Sequence, residues 1–262
     1  MSRFLHLFGL FARVNILNEL QYRANFFVQI FTSALAVAFA LGGLSIVYSH
    51  TDSLKGWSAA DLLAILGVYI IVGSAIRTVI QPSMQRLMED IRTGALDYAI
   101  IKPVETQFLI SVRQIEIWKV ADLFIGLTLL GISLRQTHAQ VTPLNALAFL
   151  LLLACGVLIV YSFWLMLATV TFWFIKIDNI LVIFQNMYEA GRWPVRIYPQ
   201  WLEIILTFLI PVAFAITVPV EAISGRITAP TLFLAVSLML VMVWASHRFW
   251  RIGIAAYSGA SA

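Results

Sequence analysis

Charge is scarce in this chain: of 262 residues only 17 are Lys or Arg and 13 are Asp or Glu, 11% in all, while 61% are hydrophobic. A water-soluble domain carries about a quarter charged residues, so the polar surface needed to solvate a globule is missing. The composition, with a mean hydropathy of +0.91, describes an integral membrane protein. Cysteine is scarcer still. Cys155 stands alone, which excludes an intrachain disulfide and a cysteine cluster. No G-x-x-x-x-G-K-[ST] occurs, nor G-x-S-x-G or H-E-x-x-H, so the chain does not bind ATP through a P-loop and carries none of these catalytic patterns. His6, His50, His138 and His247 lie on separate segments without ligand spacing, so no metal site is expected. Room is short too. At roughly 20 residues per crossing, six spans use about 120 residues and leave connecting loops, with no space for a soluble ATPase or receptor domain. The net charge of +4 reflects loop placement and not nucleic-acid binding.

What is present is a series of apolar runs. Phe4, Leu7, Phe8, Phe11 and Val14 recur at helical spacing among Arg3, His6, Arg13 and Arg23, which predicts an interfacial helix over residues 1–23. Arg13, Asn15, Asn18 and Glu19 interrupt the run, which argues against a cleaved signal. Crossings are predicted at 26–48, at 61–80 ending before Pro82, at 118–134 and at 144–175, with a last one at 231–250. Arg77, near the end of the second, is expected to snorkel. Gly126 and Gly131 lower the regularity of the third. Trp57, Trp118, Trp173, Trp201 and Trp250 suit interfacial anchors.

The stretch between 178 and 218 has two readings. Hydropathy alone selects 201–218 as the fifth crossing. The other reading makes 179–197 the crossing despite Glu189 and Arg192, with 201–218 as a re-entrant pair of half-helices broken at Pro211, tolerable only where protein or a wet cavity covers the irregular backbone. Either way Lys and Arg are lopsided: 14 against 3 in the first reading and 12 against 5 in the second, with the amino-terminal side richer. The positive-inside rule then puts both termini in the cytoplasm. Glu189 and Arg192, three apart, share a helix face. They read as a structural ion pair or as a carrier's ion or substrate site.

The longest non-membrane segment, 84–117, carries Arg86, Glu89, Asp90, Arg92, Asp97, Lys102, Glu105, Arg113 and Glu116. A helix-like run stops at Gly94, restarts, and stops again at Lys102-Pro103. Short helices joining two crossings with little slack fit either a solvated loop or a docking element for a soluble motor.

These residues resemble the permease subunits of ABC-2-type exporters, in particular a bacterial subgroup of about this length. Tyr22-Arg23-Ala24-Asn25-Phe26 leads into the first span, and Gly94-Ala95-Leu96-Asp97 is followed by Lys102-Pro103. Arg192-Trp193-Pro194, Ile197-Tyr198-Pro199-Gln200-Trp201-Leu202 and Leu209-Ile210-Pro211-Val212-Ala213-Phe214 complete the pattern, which spans nearly the whole chain. The resemblance implies an all-α polytopic membrane protein of six transmembrane helices, one permease domain over 1–262, with an amino-terminal elbow helix and a re-entrant helical hairpin at 199–218 before the last span. It favours the second topology. It further implies a coupling segment at 84–117 whose Arg86, Glu89, Asp90, Arg92, Gly94, Leu96, Asp97, Lys102 and Pro103 meet an ABC ATP-binding subunit. Pro199, Trp201 and Pro211 would belong to the translocation path. Such subunits work in pairs in the bacterial plasma membrane, bind no cofactor themselves and leave ATP and Mg to the partner ATPase. Ile100-Ile101-Lys102-Pro103-Val104 departs mildly from a leucine-and-arginine version common in relatives.

An ion-coupled secondary transporter using Asp178, Glu189 and Arg192, or a non-transporting membrane scaffold, are the competing readings. The two halves lack the internal repeat common in secondary transporters. The apolar interior fits lipids, hydrophobic drugs and lipid-linked glycans alike.

Overall fold

A computed structural model describes residues 23–137, 141–174 and 178–257, together with Gly9, Phe11, Arg13, Val14, Ile16 and Leu17. Those six positions are helical; most of the predicted interfacial helix lies outside the described residues. The helices are α1 (Arg23–Tyr48), α2 (Ala59–Ala75), α3 (Gln81–Thr93), α4 (Asp97–Ile100), α5 (Thr106–Val112), α6 (Val120–Gln136), α7 (Pro143–Thr169), α8 (Asp178–Glu189), α9 (Gln200–Ile204), α10 (Val212–Ala215), α11 (Thr217–Ile223) and α12 (Ala229–Ala256). No sheet forms among the described residues. Leu54 and Trp57 make one isolated bridge in the α1–α2 loop.

Side-chain caps set where the long helices begin. Ser58 accepts from the Asp61 amide at 3.2 Å while the Asp61 carboxylate accepts from the Ser58 amide at 3.0 Å, a reciprocal capping box at the start of α2. Thr142 caps α7 through the Asn145 amide at 3.2 Å, and Thr228 caps α12 through the Thr231 amide at 3.4 Å. Each of these last two helices carries proline in its first turn, where its missing N–H costs nothing.

The second crossing does not stop before Pro82. Helix runs from Ala59 to Thr93, 35 residues, through a π-helical turn at Ile76–Ile80. Proline cannot donate to the carbonyl four residues earlier, which here is that of Thr78. That carbonyl instead accepts the Glu116 amide at 2.8 Å, so the orphaned acceptor is satisfied from outside the helix and the rod continues. At 1.5 Å per residue it is about 50 Å long, against about 30 Å of bilayer hydrocarbon; α3 therefore projects clear of the membrane.

α2 is the buried axis of the fold. Of its most apolar stretch 83% is buried inside the protein, whereas none of the corresponding stretch of α1 is. α6 lies against α2 at backbone contact: a Cβ at Gly126 would come within 2.7 Å of the Gly67 carbonyl oxygen. The glycines thus act as a packing notch, the small-residue contact typical of membrane helices. The helices are antiparallel, with Ser133 bonded to the Ala60 carbonyl at one end and Ser74 to the Lys119 carbonyl at the other (2.6 and 3.0 Å).

Five helices are long and apolar enough to cross a bilayer, and the bent pair Gln200–Phe208 and Val212–Ile223, at 66°, would add a sixth if it crossed. Its ends exclude that. We call the face bearing the α1–α2 loop the upper face and that bearing residues 84–117 the lower face. Lys55 Nζ donates to the Arg196 carbonyl at 2.9 Å, and Arg226 pairs with Asp61 at 2.9 Å. Arg196 also faces Glu221 at 3.7 Å. Residues 197–225 therefore leave the upper face and return to it, a re-entrant hairpin. Every residue from Pro211 to Ile223 is buried, packed where a Cβ on Gly156 of α7 would meet the Ala215 Cα at 2.6 Å. Protein cover of this kind is what irregular backbone at membrane depth requires. Residues 178–197 form the 12-residue α8, about 18 Å long, followed by 3-10 turns at Ala190–Arg192 and Val195–Ile197.

Two expected interfacial tryptophans are core residues instead: Trp57 and Trp250 are 5% and 3% exposed. The Arg226 guanidinium lies 5.3 Å over the Trp57 ring, and Phe172 packs 5.7 Å from Trp250. Nearness to a span end places a ring at interfacial depth; neighbouring helices decide whether lipid reaches it.

Candidate functional site

Two regions carry chemistry beyond packing. The first is the helical knob formed by α3, α4 and α5 on the lower face. α3 ends at Gly94, whose φ of +75° is left-handed and whose amide bonds back to the Ile91 carbonyl, the conformation glycine adopts without Cβ strain. The chain then turns, with the Leu96 amide on the Asp90 carbonyl at 3.1 Å. The Asp90 carboxylate is buried between Arg86 (3.0 Å) and Arg113 (2.5 Å), and Leu96 is fully buried. These two predicted coupling residues hold the knob together from inside. Glu89 and Arg92 are 3.8 Å apart on its flank. Asp97, half-buried, lies beside Tyr257; burial first, then the Asp97 carboxylate, raises the Tyr257 phenol above its ordinary 10.0.

The exposed tip is Tyr98, Ile101, Lys102 and Pro103. Tyr98 is 71% and Ile101 77% exposed, at a level beyond the end of the bilayer-spanning part of α2. Apolar side chains held in water on a rigid projection are the mark of a contact surface. Sequence reasoning found Lys102 and Pro103; Tyr98 and Ile101 belong with them, and two large apolar side chains flanking a charged, glycine-interrupted run were the available signal.

The second region is a polar cleft inside the membrane-spanning part, between α1 and the α2, α6 and α8 helices. Arg77 does not snorkel. It reaches across to Asp122 of α6 at 2.9 Å, and Ser33 of α1 donates to the same carboxylate at 2.5 Å. A facing carboxylate in a low-dielectric setting holds the guanidinium more strongly than distant water. Lys119 donates to the neutral Gln29 amide oxygen at 2.7 Å. Glu189 and Arg192 do meet, at 3.1 Å, and Arg192 also lies 5.4 Å over the Tyr69 ring. The Tyr188 hydroxyl donates to the Tyr69 carbonyl at 2.7 Å. Around these groups lie two cavities of about 210 and 230 Å³ that share Tyr69 and Arg77.

Of the residues predicted for the hairpin, Pro199 and Trp201 are exposed at its mouth, Trp201 at 64%, and Pro211 is buried at its bend. Among the described residues no three His, Cys, Asp or Glu side chains gather closely enough to hold a metal ion. Cys155 is a buried free thiol.

Five helices of membrane-crossing length, a covered bent helix pair and a knob on one face define an all-α polytopic membrane protein. The chain belongs to the ABC-2 transporter family: a family model described as ABC-2 family transporter protein matches residues 34–261. It is an ABC transporter permease, a transport component and not a catalyst. No curated protein and no solved structure matches it.

Proposed function

We propose that this chain is the permease subunit of an ABC exporter in the bacterial plasma membrane, working as a pair with a second copy or a related permease. It lines the translocation path and is moved by a separate ABC ATP-binding subunit that binds ATP and Mg. The observation that supports this is the 35-residue rod from Ala59 to Thr93. One helix joins the buried axis of the bundle to the knob, so a push on the knob tip displaces α2 without slack. Glu116 and Ser83 clamp the base of that knob through the Thr78 and Gln114 carbonyls (2.8 and 3.0 Å). Both termini and the knob are then cytoplasmic, as the lysine and arginine bias requires.

On this reading closure of two ATPase subunits on nucleotide drives the knobs, and the spans tilt or separate as packed bodies. Tyr98, Ile101, Lys102 and Pro103 make the contact. Arg86, Glu89, Asp90, Arg92, Gly94, Leu96 and Asp97 shape it.

The test is co-purification of the tagged chain with the ATP-binding subunit encoded beside it, comparing wild type with Ile101→Asp, Lys102→Glu. The variant changes only exposed side chains, so it inserts and folds as wild type does, and it should lose the ATPase. Wild type that brings down no ATPase sinks the reading and returns Glu189 and Arg192 to consideration as an ion-coupled site.

A further inference from the structure

We propose that Tyr161 of α7 is the positioning residue through which the knob moves the re-entrant hairpin, a second line of transmission beside the rod of α2 and α3. The proposal rests on the permease reading above.

The knob's side of the link comes first. Only Val104 and Glu105 separate Pro103, at the exposed tip, from the start of α5. Gln107 and Ser111 of α5 are four apart and share one face of that helix, where they meet α7 and α12. The hydrogen bonds there run in one direction. His247 of α12 lies 2.7 Å through Nδ1 from the Gln107 Oε1; an amide oxygen only accepts, so the ring nitrogen donates. Gln107 Nε2 donates to the Tyr161 hydroxyl oxygen at 3.4 Å. The Ser111 hydroxyl donates to the Gln107 carbonyl at 2.7 Å, which leaves its oxygen to accept the Tyr161 proton, also at 2.7 Å. Tyr161 is thus the node of the set, accepting from one side chain of α5 and donating to another. All four side chains belong to half-buried residues, where an unmade hydrogen bond costs more than it does in open water.

The hairpin's side comes second. α7 meets the hairpin at backbone contact: a Cβ on Gly156 would lie 2.6 Å from the Ala215 Cα and 3.1 Å from the Phe214 carbonyl oxygen. Leu152 and Ile159, on the same face of α7, share a buried cluster with Phe214, Val218 and Ala222. Gly156 is five residues from Tyr161, about 7.5 Å along the helix. Interiors packed this closely shift as bodies and do not yield locally, so a displacement of α7 at Tyr161 carries Phe214 and Ala215 with it. The hairpin packs more extensively on α7 than on α2, which makes α7 the more direct mechanical route from knob to hairpin.

The experiment reconstitutes the permease with its ATP-binding subunit and follows N-ethylmaleimide labelling of Cys155. That residue is the single cysteine of the chain and is buried. It lies three residues after Leu152 and four before Ile159, hence on the face that meets the hairpin. A non-hydrolysable ATP analogue with Mg should speed labelling in wild type by about fivefold or more, the low end of allosteric coupling. Tyr161→Phe keeps the ring and removes the node. It should hold the ATPase and label at the wild-type rate without nucleotide, yet lose the response. Ser111→Ala should do the same from the knob's side. Thr128→Val, whose exposed hydroxyl returns to the Phe124 carbonyl of its own helix, should respond as wild type does. A response kept in Tyr161→Phe, or absent from a wild type that holds its ATPase, overturns the proposal and leaves the permease reading intact. Fast labelling of Tyr161→Phe without nucleotide assigns the hydroxyl to packing and overturns it as well. A wild type that binds no ATPase defeats the permease reading, and the proposal with it.

Discussion

The Glu116 amide and the Thr78 carbonyl are joined at 2.8 Å at the π turn that precedes Pro82. The bond fastens the knob to the membrane-spanning rod. The donor lies 38 residues downstream of its acceptor, just before the third crossing begins.

Pro82→Ala restores a donor that competes for the Thr78 carbonyl. Hydrogen exchange at the Glu116 amide should speed up by about three- to tenfold, the equivalent of one net hydrogen bond, with the rest of α6 unchanged. Unaltered protection of Glu116 would show that the clamp does not depend on the proline.

Gly126→Val should be among the most damaging single changes in the spans. Its Cβ would meet the Gly67 oxygen at 2.7 Å and the Ile71 Cγ1 at 2.8 Å, and overpacking of this kind costs about 1–3 kcal/mol. Gly131→Val on the same helix has no atom within 4 Å of its Cβ and should melt close to wild type in detergent.

Arg77 and Asp122 should behave as a coupled pair. Asp122→Asn alone leaves the guanidinium partly buried without its counter-ion, while Arg77→Gln with Asp122→Asn removes both charges. The double variant should be more stable than the sum of the single effects predicts, with a coupling energy of about 1–3 kcal/mol. Additive melting shifts would mean that water already screens the pair.

Tyr257 should titrate late. Its phenol is raised above 10.0 in the folded protein, by burial first and the Asp97 carboxylate second. A folded value above the unfolded one stabilises fully below the unfolded value and loses that contribution as pH rises through the folded one. The effect therefore belongs to the alkaline limb, above pH 10. Phenolate absorbance should lose a late-ionising component in Tyr257→Phe, and Asp97→Asn should lower the pH at which that component appears only in part because burial persists.

The family, the all-helical class and the approximate spans were legible in the residues because each is a local property. An apolar run of membrane length is a crossing wherever its neighbours lie, Gly94 is a helix stop by its own backbone freedom, and Glu189 meets Arg192 because i and i+3 share a face. The partners of Arg77 were not legible. Asp122 is 45 residues away, and only antiparallel packing of α2 on α6 through Gly67 and Gly126 brings the two carboxylate and guanidinium groups together. For the same reason Asp90 and Leu96 read as surface positions of a charged stretch and proved to be its interior.

Composition alone determined that the chain lives in a membrane, since 11% charge cannot solvate a globule. Only the tertiary structure decided how the stretch 178–225 is covered and paired. Hydropathy prefers the apolar 201–218 over the polar 179–197, but it sums transfer energies as if every residue faced lipid. Packing against α7 covers the hairpin's broken backbone, and pairing Arg192 with Glu189 and Tyr69 offsets the charge of the polar segment. Those compensations exist only between residues that the fold has already brought together.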